Sequence, residues 1–337
     1  MQPAKRAAGL ALAIIVNHAT FQVFAMPVSL GYLLPTRELC MVGVHEMRSL
    51  LQLGDRAESL GLDSVWIGDS LITKPRHEPL ALLAAIGART KKLKLGTAVL
   101  LPVLRNPVLL AHQAATIDQL SEGRLILGLG IGADTPAVRA EFEAVGVPFE
   151  KRVGRLMEGV QLCRALWTGE PVDWDGRWKL RQATIAPKPC TPGGPLIWGG
   201  GGGPAMIERS GKVFDGWFPA GAGGPATWSE GWAQVKAHAS AAARDPATLT
   251  GAAYLTLAIE DDEDRARARL DAFLQSYYLV PGESIRRRQY CFAGSQARAL
   301  DWLREYAAAG ATHLALRFTG EHERHMELVA QWRGELN

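Results

Sequence analysis

Apolar residues along this chain occur in short continuous runs that alternate with segments whose apolar positions recur at helical spacing. Residues 95–101 form one such run and residues 124–129 form another, while the segment between them has helical periodicity and ends at Gly123. Continuous apolar runs are typical of parallel strands buried on both faces, so these residues predict a β-α-β unit. The same alternation predicts eight strands in all: residues 28–34, 64–67, 95–101, 124–129, 196–198, 216–218, 250–259 and 313–318.

An eightfold alternation of strands and helices favours a closed (β/α)8 TIM barrel, of the α/β class, over an open sheet. The 337 residues suit a barrel that commonly needs about 250 residues plus insertions. Two insertions are predicted after the fourth strand. One is a helix over residues 136–144, and the other is a hairpin over residues 171–184 that turns at Asp175-Gly176 and is expected to cover part of the barrel mouth. Residues 277–289 are predicted to be irregular.

The first 25 residues differ from the rest of the chain. Lys5 and Arg6 precede an apolar run over residues 7–16, which is the outline of a secretory signal. The run is too short to span a bilayer, which takes about 20 apolar residues, and the residues before Ala25 make a poor cleavage site. We therefore interpret residues 1–25 as an N-terminal extension, with Met26 as the natural start and residues 26–337 as the barrel domain. A working signal is the alternative.

Composition and charge narrow the class of protein further. Hydrophobic residues make up 47% of the chain, and the formal net charge of +3 comes from 37 basic and 34 acidic residues mixed along it. This charge is too small and too dispersed to indicate a nucleic-acid partner, and no membrane partner is expected. The four cysteines are widely separated and show no metal-site spacing. We expect a cytoplasmic protein without a metal site.

Glycines are concentrated where two predicted strands end. Gly130 and Gly132 follow the fourth strand, and residues 199–203 are five consecutive glycines after the fifth strand, directly before Pro204. Backbone N–H groups of such a loop, together with the N-terminus of the next helix, bind anions. We interpret Gly200, Gly201, Gly202 and Gly203 as a phosphate site, the alternative being a flexible loop. Gly130 and Gly132 would let a flat ring system lie close to the backbone.

A series of short motifs follows in order between residues 96 and 132. The motifs are Gly96-Thr97, Arg105-Asn106-Pro107, Asp118-x-Leu120-Ser121-x-Gly123-Arg124 and the glycine run that ends at Gly132. In their order and spacing they resemble the signature of the bacterial luciferase-like, flavin-dependent oxidoreductases. The resemblance covers the chain from Val28 to about Arg333. It implies a barrel that binds reduced FMN at its carboxyl mouth and oxidises a small organic substrate with O2.

The resemblance leaves two alternatives open. One branch of the family uses the deazaflavin coenzyme F420 to transfer a hydride, and a barrel that binds flavin without turnover is a further alternative. Coenzyme F420 has a long anionic tail, so a basic mouth built from Lys74, Arg76 and residues 286–288 would favour it. A flavin or F420 reductase and a second copy of the chain, as a homodimer, are the protein partners expected.

The resemblance and the strand positions together suggest roles for single residues. Asp69, at the end of the second strand, and His77, in the loop after it, are the candidate catalytic residues. Thr97 is a candidate for binding the ring edge of the flavin. The substrate pocket is expected to include Trp174, Trp217 and Arg317. Each has a plainer alternative: a helix cap for Asp69, a satisfied polar residue for His77, a strand filler for Thr97 and a surface ion pair for Arg317.

This chain departs from the family pattern at two positions. The family's Gly-Gly-x-Ser phosphate loop has no serine here, because Pro204 follows the five glycines. Ser70 stands where some deazaflavin-using relatives have a histidine directly after the acid. The first departure leaves phosphate binding to the backbone, and the second weakens an acid-base role for Asp69.

Overall fold

Eight parallel strands close into a barrel in the computed structural model, which describes residues 27–336. In barrel order the strands are β1 (Ser29–Leu33), β2 (Ser64–Ile67), β3 (Lys94–Thr97), β4 (Leu125–Leu129), β7 (Leu196–Gly199), β8 (Gly216–Trp217), β9 (Thr250–Ile259) and β11 (His313–Phe318), and β11 pairs with β1. The prediction of a closed eight-stranded TIM barrel is confirmed. Residues 1–25, predicted to be an extension, lie outside the described residues.

Helices surround the barrel on its outer face. They are α1 (Thr36–Met41), α2 (Arg48–Ser59), α3 (Pro79–Arg89), α4 (Pro107–Leu120), α5 (Pro136–Ala144), α6 (Arg152–Trp167), α7 (Pro204–Lys212), α8 (Pro225–Ala241), α9 (Glu263–Tyr278), α10 (Gly282–Arg286), α11 (Gln296–Ala308), α12 (His322–Gln331) and α13 (Arg333–Leu336). Proline at the first position begins several of them, as expected where its missing N–H group costs no hydrogen bond. Between residues 27 and 336, no helix is long and apolar enough to cross a membrane.

The inside of the barrel is filled by large aromatic side chains. The ring centroid of Trp66 lies 5.2 Å from that of Trp198 and 4.6 Å from that of Phe218. The Trp66 indole donates to Ser64 Oγ over 2.7 Å, and Ser64 is in turn hydrogen-bonded to buried His313. A Cβ on Gly96 would lie 2.2 Å from the Trp66 ring, so β3 requires glycine there.

Two structural features differ from the sequence prediction around α9 and β9. Residues 277–289, predicted to be irregular, include the end of α9 and the short helix α10. A ninth parallel strand, β10 (Cys291–Gly294), follows and pairs with the carboxyl half of β9, from Cys291 opposite Thr256 to Gly294 opposite Ile259. The four residues of β10 are too few for their pattern to stand out in the sequence.

The predicted hairpin forms from β5 (Val172–Asp175) and β6 (Lys179–Ala183). It packs on α6, where Trp174 Nε1 donates to Glu158 over 3.3 Å and the Arg155 guanidinium lies 5.0 Å from the Trp178 ring. Together with the loop after β3 it encloses a small space on the outer flank of the barrel. The tryptophans of the hairpin thus lie against α6, and the expectation that the hairpin covers part of the barrel mouth stays a prediction.

Candidate functional site

A cavity of about 360 Å³ opens at the carboxyl ends of β3, β4, β7 and β8. Its walls are apolar or glycine backbone, and it is lined by Ala98, Val99, Leu101, Gly130, Ile131, Gly132, Ala133, Gly200, Gly201, Gly202, Phe218, Ala220 and Tyr254. The rings of Phe218 and Tyr254 are stacked, with centroids 6.1 Å apart and planes at 27°. We name this space the ring cavity, since its flat apolar walls suit a planar ring system.

Val99 explains why glycines line the ring cavity. A Cβ on Gly130 would lie 2.6 Å from Val99 Cγ2, and a Cβ on Gly200 would lie 2.5 Å from Val99 Cγ1. Both distances are too short for real carbon contacts, so each position accepts only glycine while Val99 stays in place. The peptide between Ala98 and Val99 is cis. Because Val99 contacts both Gly130 and Gly200, the loops after β4 and β7, assigned to ligand binding from the sequence, lie in one wall.

Trp217 is hydrogen-bonded to the glycine loop after β7. Its indole nitrogen donates to the carbonyl oxygen of Gly201 over 2.9 Å, and its ring is buried. Gly201 has φ +122°, a conformation that residues with a side chain rarely adopt. Gly203 precedes Pro204 as the N-cap of α7 and lies just outside the ring cavity.

A second cavity, of about 530 Å³, adjoins the ring cavity and shares Gly202 and Ala220 with it. The N-terminus of α7 borders it at Pro204, the first turn of α8 borders it at Thr227, and Arg288 lies in its wall. Its other lining residues include Ile207, Trp217, Gly221, Ala222, Glu230, Gly231, Gln234 and Tyr290. We name it the tail cavity. Two helix N-termini and a guanidinium favour a negatively charged occupant, against one carboxylate in the lining, that of Glu230.

The three arginines at residues 286–288 have different surroundings. Arg286 pairs with Asp271, with 2.9 Å between Nε and Oδ1, and Arg287 pairs with Glu283 on its own helix. Arg288 lines the tail cavity. The expected basic contribution of this segment to the mouth therefore rests on Arg288.

Asp69 is hydrogen-bonded to the loop that follows β3. Arg105 Nη1 lies 2.6 Å from its Oδ2 and Arg105 Nη2 3.1 Å from its Oδ1, while the Leu101 backbone N–H donates to Oδ2 over 2.9 Å. Its side chain is 1% exposed. Both carboxylate oxygens are thus engaged in holding the loop that carries Val99 and Leu101.

Two other candidates are occupied by contacts away from the ring cavity. The Thr97 hydroxyl is buried and donates to the Gly128 carbonyl oxygen over 2.8 Å, which ties β3 to β4. His77 Nε2 lies 3.1 Å from the His45 carbonyl oxygen, and its Nδ1 lies 3.9 Å from Cys40 Sγ. With Asp69 under the loop and Trp174 on the hairpin, the structure does not bring these four residues together.

Arg317 is fully buried near the end of β11. Its Nε and Nη2 donate to Thr256 Oγ1 over 3.1 and 2.9 Å, Nη1 donates to the Tyr278 hydroxyl over 3.1 Å, and Nη2 donates to Gln289 over 3.0 Å. Four aromatic rings lie within 6 Å of its Cζ atom: Tyr254, Phe273, Tyr277 and Tyr278. Because Tyr254 also lines the ring cavity, Arg317 lies directly behind that wall.

The family model described as luciferase-like monooxygenase matches residues 28–334. The chain belongs to this family. The resemblance drawn from the motifs between residues 96 and 132 is confirmed, and the chain is a luciferase-like oxidoreductase with a TIM-barrel fold.

Similar proteins include dehydrogenases and monooxygenases. An F420-dependent glucose-6-phosphate dehydrogenase from Nocardia farcinica is 30% identical over 304 residues, which cover 82% of this chain and 90% of that protein. A structure of an F420-dependent secondary alcohol dehydrogenase with an F420-acetone adduct has a TM-score of 0.77 at 21% identity, covering 91% of this chain and 98% of the other. A Streptomyces bottropensis monooxygenase has a TM-score of 0.77 at 23% identity, covering 90% and 98%. At these identities the two structures show the shared fold.

Further cations of this luciferase-like oxidoreductase lie beside Arg317. Arg37 is buried and its Nε donates to the Tyr277 carbonyl oxygen over 2.9 Å. Lys74 Nζ lies 4.6 Å from the centre of the Tyr278 ring, and Arg76 Cζ lies 5.7 Å from that of Tyr277. We name Arg37, Lys74, Arg76 and Arg317 the cationic cluster.

Among the titratable groups that respond to the cationic cluster are Glu38 and Tyr278. Burial raises the pKa of the Glu38 carboxyl, although Arg317, Arg76 and Arg37 act against that rise. Burial also acts to raise the pKa of the Tyr278 phenol, but Arg317 and its hydrogen bond with Gln289 outweigh this and lower it. The cations of the cluster therefore favour the ionised form of both groups, and this effect outweighs burial at Tyr278 but not at Glu38.

The loop that carries Lys74 and Arg76 is anchored by Glu141 of α5. One carboxylate oxygen accepts from Ser70 Oγ over 2.5 Å and from the backbone N–H groups of Ile72 and Thr73, each over 3.0 Å. Burial acts to raise the Glu141 pKa, yet these hydrogen bonds lower it overall. The inserted helix α5 thus positions the loop after β2.

Sequence reasoning missed Tyr254, Tyr278, Glu38 and Glu141. One signal for Tyr254 was available, because the tyrosine interrupts an otherwise small and aliphatic strand at residues 250–259. Tyr278 lies in the segment predicted to be irregular. Glu38 and Glu141 carry no local signal, since their partners are distant in the chain.

Proposed function

We propose that the protein is an F420-dependent oxidoreductase that transfers a hydride between the coenzyme and a small organic substrate. The observation that carries the proposal is the tail cavity, in which Arg288 and the N-termini of α7 and α8 adjoin the ring cavity. Coenzyme F420 combines a flat ring with a long anionic tail, and so suits two adjoining cavities of this character. The similarity to F420-dependent dehydrogenases supports the same reading better than reduced FMN with O2.

The residues present fit the coenzyme in two respects. Glycines at 130 and 200 leave open the space that a Cβ would fill beside Val99. The Gly200 N–H donates to the Leu129 carbonyl oxygen over 2.8 Å, so the N–H groups of residues 201–203, at the start of α7, are the ones that can bind a phosphate and compensate for the missing serine. When bound, the coenzyme supplies the hydride chemistry, so the chain has to bind and orient the reactants and exclude water.

Different residues of this chain perform these tasks. The stacked rings of Phe218 and Tyr254 form an apolar part of the wall of the ring cavity and exclude water from it. Trp217 fixes the glycine loop, and Asp69 with Arg105 fixes the loop that carries Val99. In this proposal Asp69 acts as a positioning residue rather than as an acid or base.

The decisive experiment compares coenzyme binding by absorption and fluorescence titration of the purified protein. We expect F420 to bind at least about tenfold more tightly than FMN, because only F420 extends into the tail cavity. Arg288→Gln is expected to weaken F420 binding by about tenfold and to leave FMN binding nearly unchanged. Arg287→Gln is the matched control, since Arg287 pairs with Glu283 on its own helix.

Two results would contradict the proposal. One is FMN binding as tight as or tighter than F420 binding, together with oxygen uptake when the protein is given reduced FMN and a substrate. The other is an equal effect of the Arg288 and Arg287 substitutions on F420. A homodimer and a separate F420 reductase are further proposals, which size-exclusion chromatography and a coupled assay would test.

A further inference from the structure

The cationic cluster lacks carboxylate partners. Within the described range 27–336, none of its four members forms an ion pair. Arg37 and Arg317 are buried, and Lys74 and Arg76 are half-buried. By contrast, Arg105 in the neighbouring loop is paired with Asp69. Buried charges are normally paired, so an unpaired group of this size indicates a site for an anion.

Glu38 does not neutralise the cluster. Glu38 acts electrostatically on Arg317, Arg76 and Arg37, but among residues 27–336 it forms no ion pair with any of them. Lys74 interacts in the same way with Glu141. Even when Glu38 and Glu141 are both ionised, four positive charges face two negative charges. Tyrosine rings at 254, 277 and 278 stabilise the cations partly, through their π faces.

The cluster lies across the barrel mouth from the glycine loop. Its members follow β1 and β2 or belong to β11, whereas the glycine loop follows β7, and these groups are separated by β3 and β4 on one side and by β8 and β9 on the other. Arg76 reaches the edge of the ring cavity, because a Cβ on Gly68 would lie 2.2 Å from Arg76 Nη1 and 3.4 Å from the Ala98 carbonyl oxygen. The cluster and the tail cavity are therefore separate cationic regions on either side of the ring cavity.

We infer that the cationic cluster binds an anionic group of the substrate, a carboxylate, phosphate or sulfonate, and so orients the substrate toward the ring cavity. This inference rests on the proposed function, in which the tail cavity takes the anionic part of the coenzyme. Lys74 and Arg76 contact the anion, and Arg317, held by Thr256, Tyr278 and Gln289, provides fixed positive charge behind them. A substrate that carries an anion is selected over a neutral one of the same shape.

The test uses inorganic phosphate as the probe, with its binding followed by phosphorus NMR line broadening on the full chain saturated with F420. Coenzyme binding blocks the tail cavity, so the signal reports the remaining site. We expect Arg76→Gln and Lys74→Gln each to weaken phosphate binding by about tenfold. Arg76→Lys, which keeps the charge, is expected to stay within about threefold of the unmodified protein. Thermal denaturation of each variant checks that it is folded.

The outcomes separate the inference from the proposed function. Phosphate binding that is lost in Arg76→Gln and kept in Arg288→Gln supports the inference. Absence of phosphate binding to the F420-saturated protein, or equal binding by Arg76→Gln, overturns it. Displacement of phosphate from the cluster by F420 also overturns it, because the cluster would then hold the coenzyme tail. If F420 does not bind, the proposed function fails, and the same comparison of Arg76→Gln with Arg288→Gln on the protein alone still tests the cluster.

Discussion

The indole nitrogen of Trp217 donates a 2.9 Å hydrogen bond to the carbonyl oxygen of Gly201. This bond joins the end of a buried strand to the loop that closes one side of the ring cavity. It engages the Gly201 carbonyl oxygen, so that this acceptor is satisfied by Trp217 beside the N–H groups of residues 201–203. The conformation of the loop is therefore set by a tryptophan sixteen residues further along the chain.

Trp217→Phe tests this relationship directly. The substitution keeps an aromatic ring in the core but removes the donor, so the Gly201 carbonyl loses its partner. We expect F420 affinity to fall by about fivefold, which corresponds to the loss of one hydrogen bond. Fluorescence titration measures the affinity, and an unchanged value would show that the loop keeps its conformation without the bond.

Gly200→Ala tests the close contact with Val99. The added methyl group would lie 2.5 Å from Val99 Cγ1, so Val99 must move into the ring cavity or the loop must shift. We expect F420 binding to weaken by at least about tenfold. Gly203→Ala is the matched control, since a Cβ there meets nothing within 4 Å and the backbone has φ −75°. Equal affinities of the two variants would contradict the role assigned to Gly200.

Asp69→Asn is expected to reduce stability. Arg105, whose side chain is 14% exposed, pairs with two carboxylates, and the change removes the charge of the buried one: Asp69 is 1% exposed, whereas Glu78 is 46% exposed. Breaking such a buried pair costs about 3 kcal/mol. Chemical denaturation measures the loss. Asp55→Asn, which breaks the exposed pair with Arg89, serves as control and should cost less than about 1 kcal/mol. A change in turnover without a change in stability would instead return Asp69 to a catalytic role.

The stability of the barrel should fall as the pH is lowered. Burial lowers the pKa of His313 to about 3 and that of His322 to about 4, below the ordinary histidine pKa of about 6.5. Protons therefore bind more tightly to the unfolded chain, and stability decreases as the pH falls from about 6.5 toward these lower values. For His313 alone the loss at about pH 5 is about 2 kcal/mol.

Urea denaturation at about ten pH values between pH 5 and pH 7 measures how the free energy of unfolding depends on pH. His313→Gln should flatten the dependence of the unfolding free energy on pH, because it removes the histidine with the larger pKa shift. Glutamine retains a polar partner for Ser64. A profile of equal slope in the variant would show that His313 does not account for the acid sensitivity.

Chain connectivity explains which parts of the site are readable from sequence. The glycines at 130, 132 and 200–202 were identified because each follows directly on a buried strand, and parallel strands place their carboxyl ends at one edge. The contact between Asp69 and Arg105 was not identified from the sequence, because the two residues are 36 positions apart. In addition, both a helix cap and a catalytic carboxylate are consistent with an aspartate at the end of a strand. Trp174 was misplaced because nothing local shows which surface a hairpin packs against.

The order of apolar runs and helical segments by itself determined the eight-stranded barrel, since strand and helix periodicity are local properties of the chain. Tertiary structure alone decided that Arg37, Lys74, Arg76 and Arg317 meet at one side of the mouth. The contact between Arg37 and Tyr277 joins residues 240 positions apart, and only barrel closure between β11 and β1 brings them together. The positive charge at one side of the mouth thus depends on barrel closure, whereas the glycines that line the ring cavity are already evident in the sequence.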